Sequence, residues 1–107
     1  MKRGEIWTQA GGSDYAGKPR PVLIVQSDLL TGMESIITCP FTTFDGNEVS
    51  TRPRFDPTDK NGLRKPCELM TEKIIAVPRS KLGQKVGVVT SDDMERVEQA
   101  LLLVLGV

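Results

Sequence analysis

Apolar and polar residues follow each other in short runs along most of the chain, and this pattern predicts strands rather than helices. The run Pro21–Gln26 is apolar and β-branched, as is typical of a buried strand. Asp45, Gly46 and Asn47 form a turn signal that predicts a hairpin leading into a more polar strand. The predicted strands are Glu5–Thr8, Pro21–Gln26, Glu34–Phe41, Glu48–Phe55, strand-like segments within Cys67–Val77, and Lys85–Val89. Glycine and polar residues predict loops at Gln9–Lys18 and Asp56–Lys65.

A helix is predicted only at the end of the chain. Thr90 or Ser91 can cap it, and the acidic residues that follow suit the positive end of a helix dipole. Apolar residues recur at helical spacing and form one face, and Gly106 follows as a C-terminal cap. These apolar residues are Met94, Val97, Leu101 and Val104. Leu102 and Leu105 widen the apolar stripe, which fits burial against a partner subunit and fits a wholly intramolecular core equally well.

Many short strands followed by one helix predict an α+β fold. The absence of β-α-β alternation argues against a parallel sheet, and a small, strongly bent antiparallel barrel with a C-terminal α-helix satisfies the pattern. The length of 107 residues fits one domain, residues 1–107.

Composition restricts the chemistry. The chain has 14 basic and 14 acidic residues, so it does not hold nucleic acid by bulk charge. It has no histidine, and Cys39 and Cys67 lack metal-ligand spacing, so neither a metal nor another cofactor is expected. No signal peptide or membrane span is predicted, and the protein is expected in the cytoplasm with both cysteines reduced.

Charge is unevenly distributed within this neutral total. Five basic residues against two acidic ones lie between Arg52 and Lys65. Taken alone, such a cluster indicates a solvated loop more often than a binding surface.

Several motifs in order resemble the MazF/PemK family of toxins. Arg3–Trp7 is similar to the opening motif of the family, and Arg20–Asp28, after Gly12-Ser13-Asp14, is similar to its most specific motif. Pro40–Thr43 resembles the end of its third strand. The remaining similar segments are Gly62-Leu63, Cys67–Ile74, Lys81–Gly83 and Lys85–Gly87. The resemblance covers nearly the whole chain and implies an SH3-like barrel of the PemK/CcdB type.

The resemblance implies a metal-independent endoribonuclease that cuts single-stranded RNA through its own 2′-hydroxyl. That reaction needs a cation beside the phosphorane, and an arginine forks onto two phosphate oxygens. Arg20 and Thr42 match catalytic positions of the family, and Glu72 and Asp14 match acidic positions from which a general base is expected. Residues expected to bind RNA are Lys18, Tyr15, Thr43, Arg52, Arg54, Arg64 and Lys65.

The resemblance further implies a homodimer and a MazE-like antitoxin whose disordered C-terminal tail covers the arginine site. Two alternatives remain: a CcdB-like poison of DNA gyrase, and a catalytically degenerate binding module. The gyrase poison depends on a C-terminal tryptophan, whereas the only tryptophan here is Trp7. The degenerate module is disfavoured because Arg20 and Thr42 are both present.

Overall fold

The structure is a computed structural model, and it describes residues 1–10 and 18–107. The described elements are seven strands, one α-helix and two short 3-10 helices. The strands are β1 (Glu5–Gln9), β2 (Arg20–Ile24), β3 (Ser35–Thr43), β4 (Arg54–Phe55), β5 (Cys67–Leu69), β6 (Ile75–Pro78) and β7 (Leu82–Val88); the helix α1 spans Ser91–Leu105, and the 3-10 helices span Thr71–Lys73 and Arg79–Lys81.

The strands form one antiparallel sheet in the order β4-β5-β3-β2-β1-β7. The long strand β3 changes its partner along one edge: Ser35–Thr38 pair with β6, whereas Phe41–Thr43 pair with β5. Because the two short partners sit side by side on one edge, the sheet curls into a half-barrel. The predicted bent antiparallel sheet with a C-terminal helix is thereby confirmed.

Both faces of β2 are buried, which explains why its sequence is a continuous apolar run. Leu23 packs on one face with Ile6, Phe41 and the helix residue Val97. Val22 and Ile24 pack on the other face in a second apolar cluster that includes Ile36. A strand anchored on both sides holds its first residue, Arg20, in a defined place.

The terminal helix begins and ends as predicted. The hydroxyl of Thr90 accepts the Asp93 N–H at 3.1 Å, while the Asp93 carboxylate accepts the Thr90 N–H at 3.3 Å. This capping box satisfies two of the amide groups that a helix start leaves unpaired. Gly106 closes the helix with a φ of 72°. Val97 is buried on the predicted face, whereas Leu102, Leu103 and Leu105 are 51–64% exposed.

The predicted strand Glu48–Phe55 is wrong over most of its length. Only Arg54–Phe55 is a strand, and it pairs with β5 rather than with β3. The preceding residues form a tight turn, in which the Arg52 N–H donates to the Val49 carbonyl at 2.9 Å. Pro53 has no N–H to extend a ladder, so pairing begins only after it.

Within the described part of the chain, no helix is both long and apolar enough to cross a membrane.

Candidate active site

An open groove of about 730 Å³ lies between the strands β1, β2, β3 and β7 and the segment that precedes β5. Five of the residues that line it are cationic: Lys18, Arg20, Arg64, Lys65 and Lys85. Of the lining residues that the structure describes, none is acidic. Cations without interspersed carboxylates produce a positive potential, so the groove suits a polyanion.

Arg20 opens β2 at the groove wall. Pro19 and Pro21 flank it, and a proline ring fixes φ near −65°, so the backbone on both sides of Arg20 has little freedom. Gln9 is its cross-strand neighbour in β1. The exposed guanidinium therefore projects from a stiff, doubly anchored strand.

Thr42 lies on the neighbouring strand at the level of Arg20. The register of β2 with β3 pairs Ile24 with Thr38 and Val22 with Pro40. Arg20 lies two residues before Val22 and Thr42 two residues after Pro40, and both residues line the groove. The structure thus brings together the two residues that the sequence predicted as the catalytic pair.

Other predicted RNA-binding residues also line the groove. Lys18 precedes Arg20, Thr43 follows Thr42, and Arg64 and Lys65 approach from the segment before β5. All four residues are exposed. Three separate chain segments therefore contribute polar or cationic groups to one surface.

Lys85 is a groove residue that the sequence analysis missed. It lies in β7 opposite Trp7 of β1, and its Nζ is 3.1 Å from a carboxylate oxygen of Glu5. Nothing near Lys85 in the sequence marks it as a binding residue. Only the register between the first and last strands places it beside the groove.

Arg52 and Glu72 lie together outside the groove. Arg52 Nη1 donates to Glu68 at 2.9 Å, and its Nε donates to Glu72 at 3.0 Å. The Glu68 side chain is only 3% exposed. The hydrogen bonds that Arg52 donates to Glu72 and Glu68 raise the pKa of Arg52, and the same interaction lowers the pKa of Glu72. A carboxylate with a lowered pKa is a weaker base, which disfavours Glu72 for proton abstraction.

The Arg54 side chain also contacts other side chains of the protein. Its Nε donates to the Asp56 carboxylate at 3.0 Å, and its guanidinium stacks 4.4 Å from the centre of the Phe44 ring. Neither Arg54 nor Arg52 lines the groove, so the structure separates them from Arg64 and Lys65. The predicted site residues Asp14 and Tyr15 lie outside the described residues.

Both cysteines are free thiols, as expected. Burial, followed by the negative charge of Glu72, raises the pKa of Cys39 to about 12. Cys67 lies at the groove floor, where its Sγ donates to the Lys65 carbonyl at 3.1 Å. Burial raises the pKa of Cys67 despite the nearby lysine. Thiols with raised pKa values are weak nucleophiles, so neither is suited to covalent chemistry.

The curled sheet, the cationic groove and the Arg20–Thr42 pair define a small half-barrel protein that is built to bind a polyanion. Residues 2–105 match the family described as PemK-like, MazF-like toxin of type II toxin-antitoxin system, and the chain belongs to that family. It is 44% identical over 107 residues to the probable endoribonuclease MazF of Mycolicibacterium smegmatis, covering 100% of this chain and 98% of that protein.

Solved structures of toxins share the fold. One is an endoribonuclease in complex with its cognate antitoxin from a mycobacterial species, with a TM-score of 0.82, 22% identity and coverage of 100% of this chain and 96% of that one. Another is the toxin MazF-mt6 of Mycobacterium tuberculosis, with a TM-score of 0.80, 21% identity and coverage of 96% and 97%. Likeness at this identity shows the fold alone.

Proposed function

We propose that this protein is the toxin of a type II toxin–antitoxin system and that it cuts single-stranded RNA in the groove. The observation that carries the proposal is that Arg20 and Thr42 line one groove together with several other cations. The 44% identical relative, named a probable endoribonuclease, supports this function over binding to DNA gyrase.

The nucleophile is the 2′-hydroxyl of the RNA itself, which attacks the adjacent phosphorus. The new O2′–P bond forms as the bond to the 5′-oxygen of the next nucleotide breaks, leaving a 2′,3′-cyclic phosphate and a 5′-hydroxyl. Because the nucleophile is already part of the substrate, no metal is needed: a base takes the 2′-hydroxyl proton, a cation stabilises the phosphorane, and an acid gives a proton to the leaving 5′-oxygen. Arg20 holds the developing negative charge with its planar fork, and Thr42 donates its hydroxyl to a phosphate oxygen.

Asp14 is the better of the two candidate bases. Glu72 is bound by Arg52 outside the groove, and its pKa is lowered. Asp14 lies four residues before the groove residue Lys18 in the sequence. Tyr15 in the same segment is proposed to stack on an unpaired base, because every base presents a π face. Lys18, Thr43, Arg64, Lys65 and Lys85 hold the RNA backbone.

An acidic antitoxin segment is proposed to occupy the same groove. The mycobacterial structural relative is an endoribonuclease bound to its cognate antitoxin. A disordered tail rich in carboxylates would fold onto the cations that otherwise hold phosphates. RNA and the antitoxin tail should therefore compete for the groove, so saturating uncleavable RNA should displace a cognate tail peptide. Equal binding of the peptide with and without that RNA would contradict a shared groove.

A homodimer in the cytoplasm completes the proposal. Leu102, Leu103 and Leu105 leave an apolar stripe of the helix exposed, and a two-fold pair would cover it and duplicate the groove. Sedimentation at micromolar concentration should show a species of twice 11.7 kDa. A species that stays at the mass of one chain would contradict the dimer.

The chemistry is tested on RNA that the wild-type protein cuts in EDTA. Mass spectrometry should find 2′,3′-cyclic phosphate and 5′-hydroxyl ends. The same oligonucleotide with deoxyribose at the mapped scissile position should bind with similar affinity and stay intact. Cleavage of the deoxy substrate, or dependence on added magnesium, would overturn the mechanism. Growth arrest with intact cellular RNA would replace it with the gyrase alternative.

A further inference from the structure

Asn61 organises the segment that carries two of the groove cations. We name residues 56–66 the basic loop. The Asn61 side chain is 4% exposed, and its Oδ1 accepts the N–H groups of Thr58 at 3.0 Å and Leu63 at 2.9 Å. Its Nδ2 donates to the Asp56 carbonyl at 2.9 Å. One carboxamide therefore holds the basic loop at three points along the chain.

The main chain of the basic loop also packs directly against the main chain of β7. The Val88 N–H donates to the Lys60 carbonyl at 3.0 Å. A Cβ atom on Gly87 would lie 2.4 Å from that same carbonyl oxygen, and one on Gly62 would lie 2.3 Å from the Val86 carbonyl oxygen. The approach is so close that no side chain fits between the two segments, and Gly62 has in addition a φ of +69°.

Arg64 and Lys65 are held between fixed points. Leu63 on one side belongs to the apolar core. On the other side the Lys65 carbonyl accepts the Cys67 thiol at 3.1 Å, and the Pro66 carbonyl accepts the Phe44 N–H at 3.1 Å. The two cations are exposed, while the backbone that carries them is bonded at both ends.

We propose that Asn61 is a positioning residue for RNA binding: it pre-assembles the basic loop so that Arg64 and Lys65 face the groove before RNA arrives. This inference rests on the proposed function of the groove. Ordering a loop on binding costs affinity, and a loop that is already ordered avoids that cost. Asn61 touches no RNA in this account, because its carboxamide is buried and hydrogen-bonded within the loop.

A purely structural role would produce a different kinetic result. If Asn61 only stabilises the fold, its loss reduces the fraction of active protein, so the apparent kcat falls while KM stays the same. If Asn61 acts through the cations, KM and the Kd for RNA rise while kcat per folded molecule stays the same. Arg64 and Lys65 must then be present for Asn61 to matter.

The test compares Asn61→Ala with Thr38→Val as a matched control. Thr38 is fully buried, its hydroxyl donates to the Ile75 carbonyl at 3.2 Å, and it does not line the groove. Binding is measured with an RNA that carries deoxyribose at the mapped scissile position. Asn61→Ala should weaken Kd about tenfold and raise KM in parallel, while Thr38→Val leaves both unchanged. In an Arg64→Ala/Lys65→Ala background, Asn61→Ala should change Kd less than about twofold.

Equal Kd values for Asn61→Ala and Thr38→Val would overturn the inference, as would a full tenfold effect in the background that lacks both cations. Hydrogen exchange on the wild-type protein decides the matter if Asn61→Ala does not fold. The Leu63 amide should be protected without RNA as strongly as strand amides, and protection gained only upon RNA binding would contradict pre-assembly. If the wild-type protein neither binds nor cuts RNA, the proposed function fails instead.

Discussion

Basic side chains lie in different surroundings in two regions of the molecule. One region is the groove, and the other is the Arg52 cluster, formed by Arg52, Glu68 and Glu72. In the groove, Arg20 projects from a rigid strand onto a surface whose described lining residues include no carboxylate. In the Arg52 cluster, two carboxylates hold one guanidinium, and Glu68 is almost completely buried. The first arrangement presents positive charge to a ligand, whereas the second uses it inside the protein.

The comparison shows that a count of charges does not locate a binding surface. The basic residues between Arg52 and Lys65 look like one cluster in the sequence. The fold divides them, because Arg52 and Arg54 have carboxylate partners, whereas Arg64 and Lys65 line the groove. The position of each cation in the fold decides its role, since Lys85 lines the groove although its Nζ lies 3.1 Å from Glu5.

The largest expected effect is a loss of cleavage rate when the groove residue Arg20 is replaced. Arg20→Ala should lower the cleavage rate about 100- to 1000-fold, the loss typical of one donor removed from a developing anion. Arg20→Lys should recover little of this, because an ammonium lacks the planar fork. Single-turnover cleavage measures the rate per folded molecule, and thermal unfolding measures the folded fraction of each variant. A rate for Arg20→Ala near that of the wild type would remove Arg20 from the active site.

Arg52→Ala should show the converse result. Removing Arg52 leaves the buried Glu68 without its cation, and breaking such a pair costs about 3 kcal/mol of unfolding free energy. The cleavage rate per folded molecule should stay close to that of the wild type. Urea unfolding measures the free energy of unfolding. Adding Glu68→Gln to Arg52→Ala should recover part of the lost free energy, because it removes the unpaired negative charge of Glu68. A large loss of rate with no loss of stability would instead place Arg52 in the RNA site.

Thr42→Val should lower the rate about fivefold, since it removes one hydroxyl donor worth about 1 kcal/mol and retains the β-branched shape. Thr38→Val is the matched control, because it makes the same change in the same strand away from the groove. The control should cleave at the wild-type rate. Equal losses in the two variants would show that packing rather than the Thr42 hydroxyl is responsible.

The smallest expected effect concerns Glu5, which ties the groove residue Lys85 to the scaffold. Burial raises the pKa of Glu5, but hydrogen bonds from Lys2, Trp7 and Lys85 outweigh it and lower the value to about 2. A lowered folded pKa contributes stability above the ordinary value near 4.5, and this is lost as pH falls towards 2. Glu5→Gln should reduce the free energy of unfolding by about 1 kcal/mol at pH 7. The decrease in this free energy between pH 4.5 and 2 should also become less steep than in the wild type. The free energy of unfolding is measured in urea for both proteins. If it falls between pH 4.5 and 2 as steeply in Glu5→Gln as in the wild type, this assignment is contradicted.

The sequence was sufficient where local rules act alone. The cap at Thr90, the apolar face around Val97 and the apolar run of β2 were predicted correctly, because helix capping and burial leave direct patterns in the sequence. The strand predicted at Glu48–Phe55 was wrong because a turn at Val49–Arg52 and Pro53 limits pairing to two residues. Alternation alone does not reveal which strand is available as a partner.

The site was predictable where it depends on motifs and not where it depends on register. Arg20 and Thr42 were identified through their family resemblance, and the structure places both in the lining of the groove. Lys85 was missed because its neighbours along the groove are distant in sequence. The pairing of Arg52 with Glu68 and Glu72 was hidden for the same reason, since it joins residues 16 and 20 positions apart.

The central claim is that Arg20 and Thr42 act on the same phosphate, and a double-mutant cycle tests it most directly. Single-turnover cleavage in EDTA is measured for the wild type, Arg20→Ala, Thr42→Val and the double variant, with Arg52→Ala combined with Thr42→Val as the control cycle. Residues that act as a unit lose less together than the product of their separate losses, so the double variant should cleave about as fast as Arg20→Ala alone. The control cycle should be multiplicative. Multiplicative losses in the Arg20–Thr42 cycle as well would contradict a shared catalytic site.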